Sequence, residues 1–539
     1  MGKYAKHVQR KVTPQTEKIP GQEARQAKNN AGGVSYTLDD WKRLDRFLVL
    51  GSEAGTYYQT EKALTRENAA CVERCAEADF ARCLEAVVQM NVSGRAPRVS
   101  PQIFALALLA SRGNAATDRL ALKAASDVLR IPTHLFEFAE YLKALRGRGR
   151  AVKRMLSDWY LNRDVKRLAY QATKYNQRNG WSHRDILRLA RPMVTDHERS
   201  SVLGYLVGKK LVSEIPSGDA KTYLEAVELV KASESPEVVA QQIRLHNLPR
   251  EVLPTKLLND KRVWEALLVD MPMTAMVRNL GKMTNIGLIG PNSDGAKHVC
   301  EQLLNVEKLK KARIHPFQIL LAMTTYAAGR GVKGELTWAP VPSVVDALDK
   351  AFELSFGNVE PTGKKLLYAL DISSSMCSAI LNTHLSCRDA SAALALLAVR
   401  TEQNDVTTIG FSSGRGYSGA AVMVLPLSRR MRLDGAIAKI SGLPFGGTDC
   451  ALPFMWAMQE KLDIDGVVVI TDNETYAGQI HPSQAMEKYR QYAGHNVKEV
   501  VIGMTSTGFS IARPDDLNAL DVVGFDADAP SVIGDFLRA

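Results

Sequence analysis

Lys364-Lys-Leu-Leu-Tyr-Ala-Leu-Asp-Ile-Ser-Ser-Ser375 is the stretch that decides the fold. The apolar run 366–370 is too short for a helix of its own and reads as a buried strand. It ends in Asp371-Ile-Ser373-Ser-Ser375, which puts one carboxylate and two hydroxyls on a single loop. Oxygen donors of this kind suit a hard divalent cation such as Mg²⁺. Further strand-like runs follow at 406–411, 422–425, 467–470 and 497–502, with helical stretches at 388–400 and 452–461 between them. Strands alternating with helices predict a doubly wound, mostly parallel α/β sheet whose ligands bind at the carboxyl ends of the strands.

Two later loops extend the donor set. Gly446-Gly-Thr448-Asp449 precedes a helix, and the run 467–470 leads into Thr471-Asp472. In a doubly wound sheet these positions can converge at one edge, which offers Asp371, Ser373, Ser375, Thr448 and Asp472 as metal ligands. The plainer reading makes each piece a helix cap or a turn, where Asp and Ser are common. Asp-x-Ser-x-Ser alone leaves the two readings level. Three such pieces at successive strand ends favour a divalent metal, Mg²⁺ first, with Mn²⁺ or Ca²⁺ as alternatives.

Upstream the pattern changes. Residues 36 to about 354 carry apolar residues at helical spacing, with start signals at Ser100-Pro101, Ser182 and Ser235-Pro236. Many helices on short loops predict an α-solenoid, although no sequence repeat is visible. Residues 1–35 are polar and basic, and read as an arm that is flexible or orders only by docking. The expected domains are therefore 1–35, an all-α module over 36–360, and the α/β domain over 361–539.

Net charge is +11 over 539 residues, unevenly spread. From Lys364 onward there are 15 Lys and Arg against 19 Asp and Glu, so the excess of cations lies entirely upstream. A one-sided excess implies a polyanionic partner for that part. It concentrates in 141–191, with fourteen Lys and Arg and only Asp158, Asp164 and Asp185 against them. Wound as a helix over 163–178, this segment gathers Arg163, Lys166, Arg167, Tyr170, Lys174 and Arg178 in one stripe, opposite Leu161, Val165, Leu168, Ala172 and Tyr175. Solvated charged faces normally mix signs, so a nearly acid-free stripe carrying an aromatic favours nucleic acid. Arg146-Gly-Arg-Gly-Arg150 adds a basic loop that lacks P-loop spacing. Downstream, Asn179-Gly makes a turn, Ser182 caps a helix, and His183 falls in its first turn. A lone His at such a place is more often structural than functional.

Lys174–Leu189 (KYNQRNGWSHRDILRL) resembles the signature segment of the TROVE module. So do Gly51-Ser-Glu-Ala-Gly-Thr-Tyr-Tyr58, Met271-Pro-Met-Thr-Ala-Met-Val-Arg-Asn-Leu-Gly-Lys-Met283 and Ile314-His-Pro-Phe317. The Asp371 loop, GGTDCALP (446–453) and TDNETYAG (471–478) resemble a von Willebrand factor A domain with a metal-ion-dependent adhesion site. The two in this order resemble the Ro ribonucleoprotein autoantigen family and its bacterial orthologues, from about Tyr36 to the last residue. The resemblance implies a ring of HEAT-like helical repeats sealed by the A domain. It implies Y RNA on an outer basic surface, misfolded or precursor noncoding RNA entering a central hole by a single-stranded 3′ end, and cooperation with exoribonucleases. It places His183 at a Y RNA-binding position and makes Arg278 and Lys282 candidates for the hole. Tyr170 departs from the family, where that position is often basic. The metal is expected to keep a coordination position free for a carboxylate of a partner protein, a binding role rather than a catalytic one.

Other classes find little support. A metal-dependent nuclease would need a general base and a basic clamp, and the α/β domain is net acidic. No GxSxG elbow, HExxH site or dinucleotide GxGxxG appears in the right context. Cys71, Cys75 and Cys83 lack zinc spacing. No apolar run approaches a membrane span, and no apolar segment opens the chain as a secretory signal would. Seven cysteines, an odd number, point to reduced thiols and a cytoplasmic protein, expected to be monomeric.

Overall fold

The computed structural model describes residues 12–53, 55–147, 149–209, 218–331, 335–357, 359–380, 383, 385–402, 406–413, 421–443, 446–523 and 529–539. It divides into two compact units, Met1–Cys71 with Phe352–Ala539, and Val72–Ala351. The first unit thus takes its residues from both parts of the chain that flank the helical one.

In the first unit, residues 12–37 are packed rather than loose, while residues 1–11 of the expected arm lie outside the described residues. Gln15 is fully buried. Its Nε2 donates to Asp449 Oδ1 (2.7 Å) and to the Ile480 carbonyl (2.9 Å), and its Oε1 accepts from Thr475 Oγ1 (2.6 Å) and Gly478 N (3.1 Å). All the hydrogen-bonding capacity of this amide is thereby used, as burial demands. Strands β1 (Gln26–Lys28) and β2 (Val34–Thr37) form an antiparallel hairpin. The helix Asp40–Leu50 follows, with Asp39 accepting from Lys42 N as its N-cap.

The unit Val72–Ala351 is built of helices in antiparallel pairs, such as Ser100–Arg112 with Ala115–Val128. Short polar caps set the pairs. Asn114 and Thr117 form a capping box, and Pro101, Pro132, Pro236 and Pro316 occupy first turns, where a missing N–H costs nothing. One small hairpin interrupts the helices, β3 (Gln177–Arg178) with β4 (Trp181–Ser182). The helical layer closes on itself. Arg313 Nη1 donates to the Val92 carbonyl (2.7 Å), His315 Nε2 lies 3.0 Å from the Arg95 carbonyl, and Gln318 Nε2 lies 3.3 Å from that of Pro97.

The remaining strands belong to the first unit: β5 (Leu366–Asp371), β6 (Val406–Phe411), β7 (Val422–Val424), β8 (Gly466–Thr471), β9 (Lys498–Gly503), β10 (Phe509–Ser510) and β11 (Ala519–Val523). The short β10 pairs with β2. The other six form one sheet in the order β11-β9-β8-β5-β6-β7, all parallel except the edge strand β7. Both β5 and β8 are buried along their whole length, which explains their unbroken apolar runs. The strand order reverses at β5, between β8 and β6, so the crevice at the carboxyl ends opens beside Asp371.

Candidate functional site

The sheet brings the predicted oxygen donors together. Asp371 closes β5 and Thr471 closes β8, and Thr471 Oγ1 donates to Asp371 Oδ2 (2.7 Å). The other carboxylate oxygen, Oδ1, accepts from Ser373 N (2.9 Å), which fixes the loop. Ser373 Oγ and Ser375 Oγ stand 3.0 Å apart. Ser374 N reaches the Gly446 carbonyl (3.3 Å), so the 446–448 loop lies against the 373–375 loop. Asp371, Ser373, Ser375, Thr448 and Asp472 are each 2% exposed or less.

The electrostatics are those of an acid pair short of positive charge. Burial pushes the Asp371 carboxyl up, only partly offset by its hydrogen bonds and by Arg388. Burial likewise raises Asp472, and the neighbouring charges of Asp371 and Glu474 raise it further. Thr448 Oγ1 is buried with no hydrogen-bond partner, an oxygen that lacks anything to bind. Two raised carboxyls, two facing hydroxyls and an orphaned threonine oxygen fit a hard dication. Among the described residues no three His, Cys, Asp or Glu side chains gather at one point, so this donor set depends on its hydroxyls. Arg388, buried beneath the loop, donates to the carbonyls of Ile372 and Ser373 and holds its backbone.

The basic surface lies in the helical unit, and here several expectations need correction. The helix runs only from Val165 to Lys174, with Asp164 as its N-cap. Arg178 is therefore not part of its stripe but exposed in β3. Arg163 precedes the helix. Its guanidinium lies 3.5 Å from the centre of the Trp159 ring and donates to the Trp159 (2.7 Å) and Leu129 (2.8 Å) carbonyls. Burial lowers its pKa to about 10, and this half-buried side chain is tied to the fold by those bonds. Lys166 pairs with Asp219 at 2.8 Å on the open surface.

His183 lies inside the fold. It is 1% exposed, with Nδ1 2.8 Å from the Tyr160 hydroxyl and Nε2 3.1 Å from the Tyr175 carbonyl. Burial lowers its pKa to about 4, so it is neutral at pH 7 and its ring faces inward. Its geometric effect on the surface passes through the backbone of Tyr175.

Arg167, Tyr170 and Lys174 do share a surface. With Tyr223, Arg250 and Met271 they line an open groove of about 400 Å³. Lys174 Nζ lies 5.6 Å from the Tyr170 ring centre and 5.4 Å from that of Tyr175. Lys166 and Arg250 also line it, against three acids: Asp164, which caps the helix, Glu251, which pairs with Arg250, and Asp270. Arg278 is exposed and close enough for its charge to act on Tyr175, whereas Lys282 Nζ is held by Asn259 Oδ1 (2.6 Å). A second groove of about 630 Å³ gathers Lys143, Lys153, Trp181, Arg188 and Arg191. Arg188 and Arg191, three residues apart at the end of the helix His183–Ala190, were the available signal for it. No local signal pointed to Thr471, Arg388 or Gln15 as partners of the loops 371–375 and 446–449.

With this geometry in hand, similarity to known proteins is specific. The model described as the Ro60 vWA domain matches residues 365–537, and that of the TROVE domain matches 27–246 and 244–327. The RNA-binding protein RO60 of Deinococcus radiodurans is 40% identical over 531 residues, 97% of each chain. The RNA-binding protein RO60 of Caenorhabditis elegans is 34% identical over 605 residues, 98% of this chain and 92% of its own. The crystal structure of the D. radiodurans Ro protein superposes with a TM-score of 0.69 at 38% identity, covering 93% of this chain and 99% of that one.

Proposed function

Since this chain belongs to the Ro60 family, TROVE domain and Ro60 vWA domain together, we propose that it is an RNA-binding scaffold rather than an enzyme. The observation that carries the reading is the groove of Arg167, Tyr170 and Lys174. It sets the cations Lys166, Arg167, Lys174 and Arg250 beside tyrosine rings, against the acids Asp164, Glu251 and Asp270. Cations there neutralise phosphates and release counterions, and a tyrosine face accepts an unpaired base. The proposed ligands are structured noncoding RNAs of the Y RNA kind on this surface, and defective or precursor RNAs with single-stranded 3′ ends. Exoribonucleases acting on the held RNA complete the proposed role in maturation and decay.

The test is a mobility-shift titration of a structured RNA with a single-stranded 3′ tail, repeated across salt concentrations. Replacing Arg167 and Lys174 together by Ala should weaken binding about tenfold or more and flatten the salt slope by roughly 2. Unchanged affinity and slope would remove the groove from the reading. Incubating the RNA with protein and Mg²⁺ should leave it intact, and cleavage would favour a nuclease instead.

For the acid pair we propose a bound divalent cation, Mg²⁺ first, held by Ser373, Ser375 and Thr448 with Asp371 and Asp472 balancing its charge. Such an ion would offset the buried negative charge and tie the three loops together. Mg²⁺ should raise the melting temperature of the wild type and leave that of Asp371→Ala unmoved. An equal response of the two proteins would count against the site.

A further inference from the structure

Residues 12–37 are hydrogen-bonded to the two loops that carry Thr448 and Asp472. Gln15, fully buried, spans both loops. Its Nε2 donates to Asp449 Oδ1 (2.7 Å), next to Thr448, and its Oε1 accepts from Thr475 Oγ1 (2.6 Å) and Gly478 N (3.1 Å), beyond Asp472. Asn29 Nδ2 donates to the Thr475 carbonyl (2.8 Å). Asn30 meets both carboxylate oxygens of Glu474, through Nδ2 to Oε1 (2.6 Å) and through its backbone N to Oε2 (2.7 Å). Glu474 N in turn donates to Asp472 Oδ1 (3.1 Å). The loops are also joined to each other. Tyr476 N (3.1 Å) and Ala477 N (3.0 Å) donate to the Thr448 carbonyl, and Cys450 N donates to Thr475 Oγ1 (3.1 Å). The fit is close: a Cβ on Gly33 would meet the Thr475 carbonyl oxygen at 2.0 Å, and one on Gly478 would meet Gln15 Nε2 at 2.4 Å.

We propose that residues 12–37 clamp the cation site, with Gln15, Asn29 and Asn30 as positioning residues that hold the Thr448 and Asp472 loops in place for the ion. The inference rests on the cation reading above. None of the three is a ligand; each acts through a loop residue close in sequence to one, Asp449, Glu474 or Thr475. Affinity for a metal depends on the groups that fix its ligands as well as on the ligands themselves. Coupling of this kind is reciprocal. The factor by which the docked segment tightens cation binding is the factor by which the bound cation tightens docking of the segment. Occupancy of the cation site is thereby felt at the amino-terminal segment, more than 400 residues away in sequence.

Hydrogen exchange on the full-length wild type tests the coupling without any substitution. Saturating Mg²⁺ should slow exchange of the amides in residues 13–34 about tenfold, and should leave them unchanged in Asp371→Ala. A Mn²⁺ titration, followed by the electron paramagnetic resonance of the free ion, reads the reverse direction. Gln15→Ala should weaken Mn²⁺ binding about tenfold. Tyr36→Phe removes a bond from the same segment to Ser483 (3.2 Å), in the helix Pro482–Ala493. It should lower the melting temperature and leave Mn²⁺ affinity at the wild-type value. Three outcomes overturn the inference and leave the cation reading standing: Mn²⁺ bound equally by wild type and Gln15→Ala, an equal loss of affinity in Tyr36→Phe, or Mg²⁺ bound by the wild type with exchange over 13–34 unchanged. A wild type that binds neither ion overturns both.

Discussion

His183 ties two neighbours together from inside the helical unit, and its neutrality is a condition of that role. With a folded pKa near 4 against an unfolded value near 6.5, the unfolded chain binds the proton more readily between those limits. Stability from this residue is present in full above about pH 6.5 and is lost as pH falls toward about 4, up to roughly 3 kcal/mol. His134, buried and likewise lowered to about 4, adds loss in the same window. Urea titrations between pH 7.5 and 4.5 should show this loss, with a flatter dependence in His183→Gln. The same variant separates structure from contact. RNA affinity should fall only as far as stability does, and a well-folded variant that loses RNA would show that the ring itself reaches the ligand. Sequence placed His183 correctly after the Ser182 cap, in the helix His183–Ala190. It could not show the Tyr160 hydroxyl at the ring nitrogen, because that contact depends on two helices packing and leaves no trace in local spacing.

At the scale of elements, the helix Val165–Lys174 shows where a periodic pattern misleads. The amphipathic winding continues smoothly to Arg178, but the chain leaves the helix at Tyr175 and turns at Asn179 and Gly180, both with positive φ (52° and 75°). The Asn-Gly pair was readable as a turn, whereas the helix stop four residues earlier, at Tyr175, had no residue of its own to mark it. The conformation predicts two costs. Asp164→Ala removes the N-cap acceptor and should cost about 1 kcal/mol. Gly180→Ala places a side chain at positive φ and should cost about 1 kcal/mol through strain, with no clash, since the space around it is open. Thermal melts check both, and a neutral Gly180→Ala would mean that the hairpin relaxes freely. The sheet was more legible. Short strand-like runs gave β5, β6, β8 and β9 to within a residue or two at each end, most plainly for β5 and β8, since strands buried on both faces are apolar almost throughout.

For the whole molecule, the domain order was legible from charge and periodicity, but the membership of the first unit was not. Arg46, from the helix Asp40–Leu50, is buried against Asp521 of β11 at 2.5 Å and also donates to the Phe509 carbonyl (2.9 Å). Partners 475 residues apart cannot be paired from one sequence. Arg46→Ala strands a buried carboxylate and should destabilise this unit by about 3–5 kcal/mol. A denaturation profile should then show one transition moved and the other in place, and two transitions shifted together would contradict the division into units.

Gln15 draws out a consequence in time. A ribosome releases residues 12–37 early, yet the groups that satisfy Gln15, and Thr475 and Glu474 that bind Asn29 and Asn30, belong to residues 449–480, which emerge only after the entire helical stretch. The leading segment therefore spends most of synthesis without its partners, while the helices can condense from local contacts as they appear. The oldest residues of the nascent chain are among the last to find their places, and any stall before residue 480 leaves them for a chaperone to hold.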